Sequence, residues 1–311
     1  MKRGLALASV LSILALSAAA VLFSAAWHYF PLRTTGTMIV AGHIRPYIVH
    51  VPDRYDPAKP TALVMSFHGG GNWPAFQMRL SGWNRLADEE GFIVVYPGGE
   101  GPGFAVWHQR GRTPETMPDV VFISRLIDEL RARYNIDPAR IYANGVSNGG
   151  GMSFALSCRM SDRIAAVGLV AAAYFVPWEW CGDAKPVPMI AFHGTADTAT
   201  PYHGGKVWFA PSPSPDIAKW TASWARRNRC SPNAIESPAG GRVTKIEYPD
   251  CADNASVVLY KIENGGHTWP GGLQLAEWTL GETNRDIDAN RLMWRFYQEH
   301  PMRSQGHPLP R

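Results

Sequence analysis

Three residues on three separate segments could together cleave an acyl bond. Ser147 stands in "YANGVSNGGGMSF", a Gly-x-Ser-x-Gly pentapeptide. There the glycines relieve crowding at a sharp strand-to-helix turn, so that the hydroxyl projects above a sheet edge. A serine hydroxyl is a weak nucleophile until a base takes its proton. His267, in "IENGGHTWPGG", is expected to be that base. Asp197, in "AFHGTADTATPY", is expected to accept a hydrogen bond from the imidazole and fix its tautomer. A fourth segment, "SFHGGG", carries Gly69 and Gly70, whose N–H groups, together with that of Asn148, are expected to form an oxyanion hole. The pentapeptide alone is a weak signal in a chain with thirty glycines. Its force comes from the three further segments, each of which follows an apolar run.

Those runs are the elements that must position the chemistry. "ALVMSFHGGG" (62–71), "GFIVVYPGG" (91–99), "RIYANG" (140–145), "IAAVGLVAAA" (164–173), "VPMIAFHG" (187–194) and "SVVLYKIENGG" (256–266) are short and apolar without strict alternation, as strands buried on both faces are. "MIVAGHIRPYIVHVP" (38–52) alternates like a hairpin. Helical patterns lie between the runs: 78–90, 118–134 with Asp119 as its expected N-cap, 216–228 and 284–300. Alternating strand and helix predicts an α/β fold, with a mostly parallel central sheet and helices on both faces. The order Ser147, Asp197, His267 is that of an α/β-hydrolase.

The N-terminus, "MKRGLALASVLSILALSAAAVLFSAAW", has two positive charges followed by a long apolar run. Residues 1–30 are read as a signal peptide or N-terminal membrane anchor, and 31–311 as a single α/β-hydrolase catalytic domain. Both readings send the catalytic part across a membrane, to a secreted, periplasmic or extracellular place. Cys158, Cys181, Cys230 and Cys251 all lie in that part and allow three pairings. Sequential pairing is the simplest, each bridge closing a loop of about twenty residues. No cysteine or histidine spacing suits zinc, so no metal or other cofactor is expected. A net charge of +4 with no basic stripe argues against nucleic acid as a partner.

On "FHGGG", "GWNRLADEEGFIVVYPGG", "ARIYANGVSNGGGMSFALSC", "FHGTADTATPY" and "GGHTWPGG", the chain resembles the secreted polyhydroxybutyrate depolymerases and feruloyl or acetylxylan esterases over residues 38–300. The resemblance implies Ser147 as nucleophile, Asp197 as acid, His267 as base and the loop from His68 as the oxyanion side. It also implies that Cys158–Cys181 ties down the helix after the nucleophile. Where family members often show two acids before a helix, this chain reads "MPDVVF", with Pro118 before Asp119. It lacks the substrate-binding domain and Thr-rich linker of polymer-degrading members, which favours small or soluble esters over a polymer.

The expected partner is therefore an ester substrate, small or polymeric, and a membrane enters only through the N-terminal segment. A serine peptidase would use the same triad, and a non-catalytic envelope binding protein could keep the fold. Of the twelve tryptophans, Trp73, Trp107, Trp178, Trp180, Trp208 and Trp269 fall in predicted loops. Trp269, two residues from His267, is the one expected to line the substrate cleft. His108, His193 and His203 are read as structural or exposed.

Overall fold

Every one of the apolar runs becomes a strand of one ten-stranded sheet. The computed structural model describes residues 34–101, 106–108, 117–174, 176–182, 184–207 and 213–302, so the expected signal or anchor and Trp208 lie outside the described residues. In chain order the elements are β1 (Gly36–Val40), β2 (His43–His50), β3 (Thr61–Phe67), α1 (Pro74–Ser81), α2 (Trp83–Glu90), β4 (Ile93–Pro97), α3 (Pro118–Arg133), β5 (Ile136–Val146), α4 (Asn148–Arg159), β6 (Ala166–Val170), β7 (Met189–Gly194), α5 (Ile217–Arg227), β8 (Ile235–Pro238), β9 (Val243–Tyr248), β10 (Val257–Ile262), α6 (Glu277–Leu280) and α7 (Ala289–Glu299).

Across the sheet the order is β1-β2-β4-β3-β5-β6-β7-β10-β9-β8. The six central strands, from β4 to β10, are parallel. The outer pairings, β1 with β2, β2 with β4, β10 with β9 and β9 with β8, are antiparallel. Strand periodicity sorts the core into two layers. Leu63, Met65 and Phe67 of β3 face Phe122 and Leu126 of α3, Phe154 of α4 and Trp224 of α5. Ala62 and Val64 face the other way, towards Trp83 and Leu86 of α2 and Met293 and Tyr297 of α7. Both faces are thus covered, as a parallel sheet requires.

Three details differ from the sequence reading. The helix expected over 78–90 is two helices broken at Gly82, which takes the left-handed conformation at φ 68°. Strands β8 and β9 were not anticipated; β8 is four residues long and fully exposed, so it carries no apolar signal. Helix α3 is capped by Met117 without a side-chain bond, and Asp119 is buried rather than capping.

The cysteines pair sequentially. Cys158–Cys181 fastens the last turn of α4 to a single 3-10 turn at Trp178–Cys181. Cys230–Cys251 ties the chain leaving α5 to the loop between β9 and β10. A crosslink over a loop of this length contributes about 3 kcal/mol in the chain-entropy picture. No helix of the described residues is long and apolar enough to cross a membrane.

Candidate active site

Four loops that leave the carboxyl ends of parallel strands carry the chemistry-bearing residues: Gly69 and Gly70 after β3, Ser147 after β5, Asp197 after β7 and His267 after β10. Ser147 links β5 directly to α4 and sits at φ 54°, ψ −120°. A non-glycine residue there is strained, at a cost of about 1–3 kcal/mol. Its own backbone holds it in place: the Ser147 N–H donates to the Val170 carbonyl at 2.9 Å, and the Ser147 carbonyl accepts from the Ala173 N–H at 2.9 Å. The flanking glycines are sterically required. A Cβ on Gly145 would meet the Gly149 carbonyl carbon at 2.4 Å, and one on Gly149 would meet the Phe67 carbonyl oxygen at 2.3 Å. No side chain larger than hydrogen fits where β3, β5 and the start of α4 converge.

Asp197 and His267 meet in one buried cluster. His267 Nδ1 lies 2.8 Å from Asp197 Oδ2. Asp197 Oδ2 also accepts from the Thr200 hydroxyl at 2.9 Å, and its Oδ1 accepts from the N–H groups of Ala199 and Thr200 at 2.9 and 2.8 Å. His193 Nε2 stands 3.4 Å from Oδ2 and bonds the Thr200 carbonyl at 2.7 Å. Burial pushes the Asp197 carboxyl up, but the nearby His267, its hydrogen bond, His193 and the Thr200 N–H outweigh it, and the group titrates below the ordinary carboxylate value. With Nδ1 engaged by the carboxylate, His267 turns Nε2 free to take a proton, which is what a general base needs.

Among the described residues no hydrogen bond connects Ser147 Oγ with the His267 ring. The Thr200 hydroxyl stands between them: its oxygen lies 3.3 Å from His267 Nδ1 and 3.2 Å from the carbonyl oxygen of Ala171, which competes with Asp197 Oδ2 for the hydroxyl's one proton. Ala171 follows Val170, the acceptor of the Ser147 N–H. Catalytic hydrogen bonds are often long without substrate and tighten once it binds.

The loop after β3 packs on the turn at Ser147. A Cβ on Gly69 would stand 3.5 Å from Ser147 Cβ, and one on Gly70 would stand 3.7 Å from Asn148 Cβ. His68 fixes this loop. Its Nδ1–H donates to the Gly69 carbonyl at 2.7 Å, while its Nε2 accepts from the Gly99 N–H at 2.8 Å. Burial, with the charge of Arg45 in the same direction, lowers its pKa to about 4, so the ring is neutral, as a ring that donates at one nitrogen and accepts at the other must be. In a trans peptide the N–H points opposite to the preceding carbonyl. Holding the Gly69 carbonyl therefore aims the Gly70 N–H the other way.

Two expectations are corrected here. Trp269 does not line the cleft: it is fully buried in the core on the α7 side, with its indole N–H donated to Asn290 Oδ1 at 2.9 Å. Asp119 is no cap; it is fully buried, forms an ion pair with the equally buried Arg45, and accepts from the His108 N–H at 2.5 Å. Burial holds its carboxyl above the usual range against the pull of Arg45. Such a pair adds little net stability, yet is costly to halve. Asp119→Asn is expected to lose about 3 kcal/mol or more by leaving the guanidinium unpaired, while Arg45→Met/Asp119→Leu recovers most of it. Urea unfolding of the two variants checks this. Thr200, His193 and Trp107 also belong to the site's surroundings, and no motif in the sequence marked Thr200 or Trp107 for this purpose.

The parallel sheet with these loops at its carboxyl edge defines an α/β-hydrolase. An acetyl xylan esterase from Aspergillus awamori has the same fold, with a TM-score of 0.62 at 14% identity, over 82% of this chain and 94% of that one. A putative esterase, NocK, of Nocardia uniformis is 30% identical over 280 residues, covering 82% of this chain and 80% of that protein. Feruloyl esterase C of Emericella nidulans is 27% identical over 252 residues, covering 76% and 80%. No protein-family model matches the sequence. The chain belongs to the feruloyl and acetylxylan esterase family and is a carboxylic-ester hydrolase. These relatives carry the feruloyl and acetylxylan side of the resemblance, not its polyhydroxybutyrate side.

Proposed function

We propose that this protein is an exported serine esterase that cleaves feruloyl- or acetyl-type carboxylic esters through an acyl-enzyme. The observation that carries the reading is the 2.8 Å contact between His267 Nδ1 and a buried Asp197 carboxylate, on the same sheet edge as the strained Ser147. Ser147 Oγ attacks the ester carbonyl as His267 Nε2 takes its proton, and Asp197 stabilises the imidazolium. The N–H groups of Gly69, Gly70 and Asn148 hold the oxyanion. The tetrahedral intermediate expels the alcohol, which takes the proton from His267. Water then attacks the acyl-enzyme with His267 as base, releasing the acid and restoring Ser147.

The acyl class comes from the relatives: one is a feruloyl esterase and one structural neighbour an acetyl xylan esterase. Export is supported by the apolar N-terminal run and by two disulfides, which persist in oxidising compartments. A fluorophosphonate probe should form a covalent adduct that peptide mass spectrometry maps to Ser147. An adduct elsewhere, or none while the enzyme hydrolyses esters, overturns the serine assignment. Methyl ferulate, acetylated xylan, hydroxybutyrate oligomers and a matched ester–amide pair, compared by kcat/KM, rank the acyl group and separate an esterase from a peptidase.

A further inference from the structure

We infer that Trp107 is a positioning residue for oxyanion stabilisation, bracing the two segments whose N–H groups would hold the charge. The inference rests on the serine-esterase reading above. Among the described residues, Trp107 reaches both segments. Its indole N–H donates to the His68 carbonyl at 3.0 Å, immediately before Gly69. Its main chain is bracketed by the side chain of Asn148, the residue after Ser147: the Trp107 N–H donates to Asn148 Oδ1 at 2.7 Å, and Asn148 Nδ2 donates to the Trp107 carbonyl at 3.2 Å.

The peptide geometry gives the first contact its meaning. The His68 carbonyl and the Gly69 N–H belong to one planar trans peptide and point in opposite directions. Capturing the carbonyl with the indole therefore fixes where the Gly69 N–H points, as the His68 ring does for Gly70. Trp107 and His68 divide the loop between them, one peptide each. The second contact fixes the segment 106–108 against the first turn of α4, from which the Asn148 N–H is offered.

The brace is itself anchored. Trp107 is almost fully buried, edge-on to Phe67 with centroids 5.1 Å apart, and the Arg45 guanidinium lies 5.7 Å from its ring. Val106 and Glu100 exchange two backbone hydrogen bonds at 2.9 Å on one side. On the other, the His108 N–H is held by Asp119. Preorganised donors cost no reorientation when charge develops, so a loosened brace should be felt in the transition state and little in substrate binding.

Trp107→Phe removes the indole donor and keeps a ring in the core. With p-nitrophenyl acetate its kcat is expected to fall about tenfold with KM within about twofold, less than outright loss of an oxyanion donor. A trifluoromethyl ketone, which forms a tetrahedral oxyanion on Ser147, should lose affinity by the same factor. Inhibition by the planar product acid should stay unchanged, a pattern that a general packing defect does not produce. Asn148→Ala, which keeps the backbone N–H and removes the bracket, carries the same test should the Trp107 variant fail to fold. A folded variant with wild-type kcat and wild-type ketone affinity overturns the brace. Undiminished turnover by Ser147→Ala overturns the serine reading instead, and that is measured first.

Discussion

Ser147→Ala is expected to lower kcat for p-nitrophenyl acetate by about 10⁵–10⁶, the loss seen when the nucleophile of a serine hydrolase is removed. In the proposed mechanism the effect is so large because one atom, Oγ, forms the bond on which the double-displacement route depends. What remains is direct attack by water within the oxyanion hole, a residual about 10³–10⁴ above the uncatalysed rate. Stability should move the other way or not at all. Ser147 Oγ makes no hydrogen bond among the described residues, so its loss leaves no partner unsatisfied. Alanine inherits the same φ of 54°, and with it the same strain. Ser147→Gly relieves that strain and is expected to gain about 1 kcal/mol or more, since glycine adopts positive φ freely. A variant that is more stable and inactive is the signature of backbone strain held for function. Thermal unfolding and steady-state kinetics on the two variants measure both sides. Activity within tenfold of wild type in Ser147→Ala would remove Ser147 from the mechanism.

How much of this could be read from sequence follows from what each residue answers to. Strands β3, β5, β6, β7 and β10 were legible because burial on both faces leaves a run of apolar residues with few alternatives. Strand β8 was not, because an exposed four-residue edge strand is stabilised by its ladder with β9 and imposes no composition. Gly145 and Gly149 were legible as a turn, and the structure adds the reason: backbone from β3 occupies the space a Cβ would need.

Trp269 shows where sequence distance misleads. Two residues separate it from His267, yet the chain turns between them, and the indole points into the core to reach Asn290 while the imidazole reaches Asp197. Thr200 was hidden for the opposite reason. It stands three residues from Asp197 and sixty-seven from His267, and only the packing of β7 against β10 brings it to both. Asp119 stands at the head of a helical pattern, the place of a cap. Its partner, Arg45, lies 74 residues away on β2, and no local rule pairs them.

Asp197→Asn is expected to lower kcat by about 10⁴ while leaving the fold intact. An asparagine fits the same space, and its Oδ1 can still accept from the N–H groups of Ala199 and Thr200. The loss arises at the second oxygen. In the wild type Oδ2 accepts from both His267 Nδ1 and the Thr200 hydroxyl. An amide nitrogen at that place is a donor, so His267 must turn an unprotonated Nδ1 towards it and carry its proton on Nε2. In the proposed mechanism that is the tautomer that cannot take the proton of Ser147. The imidazolium also loses its counter-charge in a site where little water screens it. The same substitution alters the pH dependence of stability. The Asp197 carboxyl titrates below its ordinary value of 3.8 in the folded protein, so its stabilisation is complete above the unfolded pKa and is lost as pH falls through the folded one. In Asp197→Asn that acid-side loss should be absent, and the unfolding free energies of the two proteins should converge as pH is lowered. A kcat within tenfold of wild type would show that His267 is oriented without the charge, and parallel stability curves would show that the Asp197 carboxylate does not set the acid-side loss.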